Sequence, residues 1–154
     1  VSYDIRVRDL PARPTALVAD EVSVEAIPLF LGPAFRAVAR VVEAADVPIT
    51  GPPFARYLPM PGGRWHVEAG FSLARPIDAT GTVLPSWLPG GPCASTVHVG
   101  GYDTVESAYV ALTDWITEND CVTTGQAWEC YLDDPDAELP RTEVFMPIFR
   151  LAAN

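Results

Sequence analysis

Basic side chains are scarce in this chain. Its 154 residues carry 10 Lys and Arg against 20 Asp and Glu, a net charge of −10. A surface of that sign repels phosphates at long range and argues against direct nucleic acid contact. It tolerates or attracts cationic partners, or it only keeps the domain in solution. Long apolar runs are also missing. None approaches the ~20 residues of a membrane span. No signal peptide is visible at the start, although Val1 stands there in place of Met. The expectation is a trimmed start, or one inside a longer gene product, where a leader could hide. The cysteines are Cys93, Cys121 and Cys130, three in number, widely spaced and without a C-x-x-C pair. That argues against a disulfide framework and against a zinc site, and leaves reduced, buried thiols in a cytoplasmic protein. The two histidines show no ligand-like spacing, so neither a metal nor a cofactor is expected. There is no G-x-S-x-G, no P-loop and no dinucleotide fingerprint.

What is present is a globular composition, 49% hydrophobic, long enough for one domain spanning 1–154 with a sizeable core. Residues 3–20 read as extended. A helix is predicted from about Val24 to Ala45, with Phe35, Val38 and Val42 at helical spacing, Pro28 in its first turns and a kink at Gly32-Pro33. "ITGPPFARYLP" runs into a strand, and Gly62-Gly63 mark a hairpin turn. In "RWHVEAGFSLARPI" the alternation puts Trp65, Val67, Ala69, Phe71 and Leu73 on one face. Residues 78–93 are rich in Gly and Pro and read as a long connection with one edge strand. "ASTVHVGGY" is a strand. "DTVESAYVALTDWITEND" is the clearest helix, with a capping box at Asp103 and Glu106 and an apolar stripe of Val105, Tyr109, Leu112 and Ile116. "GQAWECYLDDP" and "RTEVFMPIFRL" close the chain as strands.

The order strand, helix, strand, strand occurs twice, over about 3–77 and about 94–150. "TGPPFARYL" (50–58) aligns with "TGQAWECYL" (124–132), sharing Thr, Gly, Tyr and Leu. An internal repeat follows as an expectation. In that alignment Ala55 stands where Glu129 stands. The strand position therefore does not require a carboxylate, and Glu129 is the feature to explain.

"GPPFARY", "VEAGF", "LPGGPCASTVHVGGYD" and "WECYLDDP", in that order, resemble the GyrI-like small-molecule-binding domain. This is the effector-binding module of some AraC- and MerR-type regulators, and it also occurs alone. The resemblance implies an α+β fold: a pseudo-twofold duplication of a β-α-β-β unit, with antiparallel sheets forming a concave ligand groove backed by two helices. It implies a lipophilic, cationic or polar-aromatic small molecule held in an aromatic pocket against a buried Glu, which matches Glu129. It equally leaves open a stand-alone hydrolase of electrophilic cyclopropane-type genotoxins, or a non-catalytic partner of a large enzyme. If the chain belongs to a regulator, the DNA-binding segment lies upstream of Val1.

The candidate site follows from both readings. A carboxylate in a low-dielectric groove is costly unless paired, and a cation would offset that cost. Aromatic walls suit such a ligand. The alternative is a Glu on a solvated edge, or one satisfied by Tyr hydroxyls or an Arg. Tyr131 shares its strand face, and Tyr57 is the repeat mate of Tyr131. Glu68 in "VEAGF" is the second acidic candidate and, with Glu129, the acid/base pair if the chain is a hydrolase. Trp87 sits in a Pro/Gly-rich stretch as a candidate lid. Tyr109 and Phe145 belong to the ligand-binding set, although both also suit core packing. His98 is expected to make local hydrogen bonds.

Overall fold

The computed structural model describes residues 2–123 and 126–151. Thr124 and Gly125, part of the repeat alignment, lie outside the described residues. The elements in chain order are strands β1 (Arg6–Leu10) and β2 (Arg13–Ser23), a short 3₁₀ turn, helix α1 (Ile27–Ala44), and strands β3 (Phe54–Met60), β4 (Arg64–Ser72), β5 (Leu84–Leu88) and β6 (Gly91–Val99). A second 3₁₀ turn, helix α2 (Glu106–Glu118), and strands β7 (Cys121–Thr123), β8 (Trp128–Tyr131) and β9 (Arg141–Arg150) follow. The fold is α+β, with two helices and antiparallel strand pairing.

The chain divides into two compact units. One runs from Ala12 to Pro89. Its strands lie in the order β3-β4-β2-β5. Val67 and Ala69 of β4 face Tyr57 and Ala55 of β3, which keeps the predicted apolar alternation in register. Helix α1 buries Ala34, Val38 and Val42. Val38 and Val42 pack with Ala16, Leu73, Ile77 and Val83, and Phe35 meets Phe71 edge-on at 5.8 Å. The helix continues through Pro33. The carbonyl that Pro33 cannot serve belongs to Leu29, which is well exposed, so water can satisfy it. Pro61-Gly62-Gly63 turns β3 into β4 with both glycines at positive φ, as the hairpin reading requires.

The other unit runs up to Pro11 and resumes at Gly90. Its strands lie in the order β1-β6-β9-β8, with β7 pairing the far end of β9. The opening strand, read locally as the start of the first β-α-β-β unit, thus pairs with β6. Helix α2 lays Ala108, Leu112 and Ile116 against Ala94, Val144, Met146 and Ile148. The opposite face carries Trp128 stacked on Phe145, rings 5.2 Å apart and 9° from parallel. The Arg8 guanidinium lies 5.5 Å over Phe145, and its Nη2 donates to Glu143 Oε2 at 2.6 Å.

The capping box is corrected. Helix α2 begins at Glu106, after a tight turn over Tyr102–Thr104, and no side chain caps it. Asp103 sits inside that turn, one turn too early to serve the helix. The extended residue before the turn is Gly101. Thr104 Oγ1 donates to its carbonyl at 2.9 Å, and Ser107 Oγ donates to the Thr104 carbonyl at 2.9 Å. All three cysteines are free thiols.

Candidate functional site

Register decides where Glu129 points. Trp128 pairs with Phe145, and Glu129 with Val144. The Trp128–Phe145 stack holds one face of β8. Glu129 must then turn to the other face, where Val144 packs with α2. Only 7% of Glu129 is exposed. Tyr109, one residue past the buried Ala108 of α2, donates its hydroxyl to Glu129 Oε2. Tyr131 donates its hydroxyl to Oε1 at 3.1 Å. Both oxygens are thus held by phenols. Among the described residues no basic side chain forms an ion pair with this carboxylate.

That environment raises the Glu129 carboxyl above the ordinary carboxylate range. Burial is the cause. The two tyrosine hydroxyls and the nearby His98 act the other way without cancelling it. The group is built to stay protonated longer than a surface Glu, and among the described residues no ion pair balances its ionised form.

Around it stand further polar and aromatic groups. Tyr102 meets Tyr131 edge-on, ring centroids 5.5 Å apart. Partial burial, followed by the negative field of Glu129, Asp134 and Asp133, pushes the Tyr102 phenol up. Thr142 is the cross-strand partner of both Tyr131 and His98. It is fully buried, and its hydroxyl has no partner among the described residues. His98 Nε2 lies 3.2 Å from the Gly101 carbonyl and 2.9 Å from Thr104 Oγ1. A carbonyl only accepts, so Nε2 donates there and Nδ1 is left to accept from Tyr3 Oη at 2.9 Å. The bonds to Gly101 and Thr104 are the local ones expected of His98, and the bond to Tyr3 also ties the turn carrying Tyr102 to the start of the chain. Beyond β8, Arg141 grips Asp133 with Nε at 2.8 Å and Nη2 at 3.0 Å, and with its backbone N–H at 3.0 Å. Those bonds hold Asp133 below the usual carboxylate range.

The sequence-derived candidates separate into groups. Glu129, Tyr131 and Tyr109 come together within one unit. Phe145 belongs to the same unit but lies on the opposite sheet face, stacked on Trp128. Tyr57, Glu68 and Trp87 belong to the unit of residues 12–89. There Glu68 Oε1 accepts from Arg56 Nε at 2.6 Å, and His66 Nε2 lies 3.7 Å from its other oxygen. That carboxylate is thus engaged by the Arg56 guanidinium within its own unit. Trp87 is more than half exposed on β5, the edge strand, and its carbonyl accepts from Arg56 Nη1 at 3.5 Å. Tyr102 and Thr142 were not foreseen. "VGGYD" reads as turn glycines, and a lone Thr in a strand gives no signal until register places it.

No group of three or more metal-ligating side chains exists among the described residues. No helix among them is long and apolar enough to cross a membrane.

Comparison with known proteins places the chain. The family model for the GyrI-like small molecule binding domain matches residues 3–148. No curated protein sequence matches. Among solved structures, the EcmrR C-terminal domain superposes with a TM-score of 0.83 at 18% identity, covering 98% of this chain and all of that one. In the EcmrR–DNA complex the TM-score is 0.81 at 19% identity, and 97% of this chain spans 58% of the EcmrR chain. A Listeria innocua hydrolase gives 0.65 at 13% identity, covering 94% of this chain and 91% of that one. SAV2435 bound to tetraphenylphosphonium gives 0.59 at 14% identity, covering 97% and 94%. At these identities the likeness is one of fold.

Proposed function

The chain belongs to the GyrI-like small-molecule-binding domain family, and from that premise we propose that it binds a lipophilic organic cation, with Glu129 as the charged anchor. The observation that carries this reading is a buried carboxyl with a phenol on each oxygen and no ion-paired basic side chain among the described residues. Such a group is costly when ionised alone, and a cation without strong hydration removes that cost. Tyr109, Tyr131 and Tyr102 offer aromatic surface to the same ligand. The two EcmrR structures and the SAV2435 complex with tetraphenylphosphonium support an effector-sensing role in a regulator, with the DNA-binding part outside this chain. Recognition of several such cations, from the cytoplasm, belongs to the same proposal.

The test is a titration with tetraphenylphosphonium followed by calorimetry. Saturable one-to-one binding is expected, and no heat at millimolar ligand would overturn the reading. Tyr109→Phe keeps the ring and removes one donor to Glu129. The ionised carboxylate loses a stabilising bond, so cation affinity should fall by about 1 kcal/mol, roughly fivefold. An unchanged affinity would mean that Tyr109 only packs.

A second reading has its own observation. A carboxyl kept protonated by burial is suited to general-acid work, and the similar folds include a Listeria innocua hydrolase. Under it, a ring C–C bond of an electrophilic cyclopropane breaks as Glu129 protonates the departing carbon, water adds to the other carbon, and the proton that the water sheds returns to the Glu129 carboxylate. Incubation with such a compound and product analysis should show a ring-opened water adduct that Glu129→Gln does not form. Absence of turnover by the unmodified chain leaves binding as the function.

A further inference from the structure

The unit of residues 12–89 carries a concavity with no role in the Glu129 site. It lies between the last turns of α1 and the segment after β4. Its volume is about 590 Å³, within the range of small-molecule pockets. Its apolar surface comes from Val41, Ala44, Val47 and Ile77, and Arg40, Arg75 and Asp78 are the charged side chains at its margin.

We propose that this concavity binds a small organic carboxylate, the anion set against Arg40 and Arg75 and the apolar body lying on Val41, Val47 and Ile77. The charge balance is the first argument. The whole chain is −10, yet two guanidinium groups line this pocket against one carboxylate, Asp78. Arg40 forms no hydrogen bond or ion pair among the described residues. Arg75 spends one nitrogen, donating Nη2 to the Asp46 carbonyl at 2.8 Å, and keeps the rest of its fork for a ligand.

The second argument concerns the helix end. A helix C-terminus carries unsatisfied carbonyls that would repel an anion. Here three of the last four are occupied. The Val41 carbonyl takes the Ala45 N–H, the Val42 carbonyl takes the Val47 N–H, and the Glu43 carbonyl takes the Asp46 N–H, with Asp46 in the left-handed conformation that makes this closure possible. Just past the helix, Arg75 donates to the Asp46 carbonyl. Most of the negative end of α1 is thus covered before a ligand arrives, and the arginines set the sign of the pocket. Asp78 opposes a second negative charge, which favours monocarboxylates over dicarboxylates and phosphates.

The experiment uses the full chain and 2-naphthoate, with neutral 2-naphthamide as its isostere. Amide shifts are followed by heteronuclear NMR at millimolar probe. Naphthoate should shift Val41, Ala44, Ile77 and Thr80 and bind at least about tenfold tighter than the amide. Arg40→Gln, an exposed change that leaves the fold intact, should remove that preference, whereas Glu129→Gln should not alter it. Arg75→Gln should act like Arg40→Gln. Equal binding of acid and amide, shifts confined to other residues, or an Arg40→Gln variant that keeps the preference would each overturn the proposal.

Discussion

Replacement of Glu129 by Gln should weaken binding of a lipophilic cation by about 1–3 kcal/mol, roughly 5- to 150-fold, and at the same time make the free protein more stable at neutral pH. The two effects share one cause. Glu129 is buried, and its carboxyl is held above the ordinary range because burial disfavours the charged form. In the unfolded chain the same group ionises near its ordinary value, about 4.3. Below that value both states are protonated and Glu129 costs nothing. As pH rises through it, the unfolded chain ionises first and the folded chain lags, so stability falls until the raised folded value is passed. Gln is neutral at every pH and escapes this loss. Thermal unfolding should therefore give equal midpoints for the two proteins near pH 4. The variant should gain on the unmodified chain as pH rises, by about 2–4 °C for each kcal/mol at this size.

Cation affinity of the unmodified chain should rise over that same pH interval, because only the ionised carboxylate attracts the ligand, and should stay flat in Glu129→Gln. A variant with full affinity would remove Glu129 as the anchor. A variant less stable than the unmodified chain at pH 8 would show that the Tyr109 and Tyr131 bonds outweigh the burial cost.

Much of this site was legible because strands alternate. Glu129 and Tyr131 share a face for the same reason that Trp128 cannot. The comparison of Ala55 with Glu129 marked the carboxylate as dispensable for the strand. Tyr109 stood within an i, i+3, i+4 stripe that reads as core, and nothing in a helical period tells a packed ring from one whose hydroxyl reaches a carboxylate. Thr142 and Tyr102 depend on cross-strand register and on a tight turn, neither of which a local pattern encodes. The pairing of β1 with β6 was hidden for a similar reason. Residues about 87 positions apart meet there, while alternation in "YDIRVRDL" says only that a strand exists. The capping box failed because Asp103 and Glu106 have the right spacing but Asp103 is spent on a 3₁₀ turn and Glu106 is the first residue of the helix.

Gly70→Ala should be among the most damaging single substitutions in the chain, although it adds one methyl group. Gly70 lies in β4 opposite Leu17 of β2 on one side and Phe54 of β3 on the other. A Cβ built there would sit 1.9 Å from the Ala16 carbonyl oxygen and 2.8 Å from the Leu17 Cα. Both atoms are backbone, so no rotamer change relieves the clash. The strands must separate, and β2 is central to its sheet, paired to β4 on one side and β5 on the other. Ala16 and Leu17 are themselves fully buried and pack the interior of this unit. Pushing them away breaks ladder hydrogen bonds and opens the packing around Val38 and Val42 together. The expected loss is about 3–5 kcal/mol, the scale of strong overpacking combined with broken backbone bonds. Against a total stability of about 5–15 kcal/mol, that is a third or more of the whole for most of the range, which denaturant titration would show as an early midpoint or, at the low end, as no cooperative transition. Ala69→Gly, one position away, removes a methyl group from a fully buried site and should cost less, because a small void is tolerated where an added backbone contact is not. A Gly70→Ala protein that unfolds at the same denaturant concentration as the parent would mean that β2 and β4 do not approach as closely as this register requires.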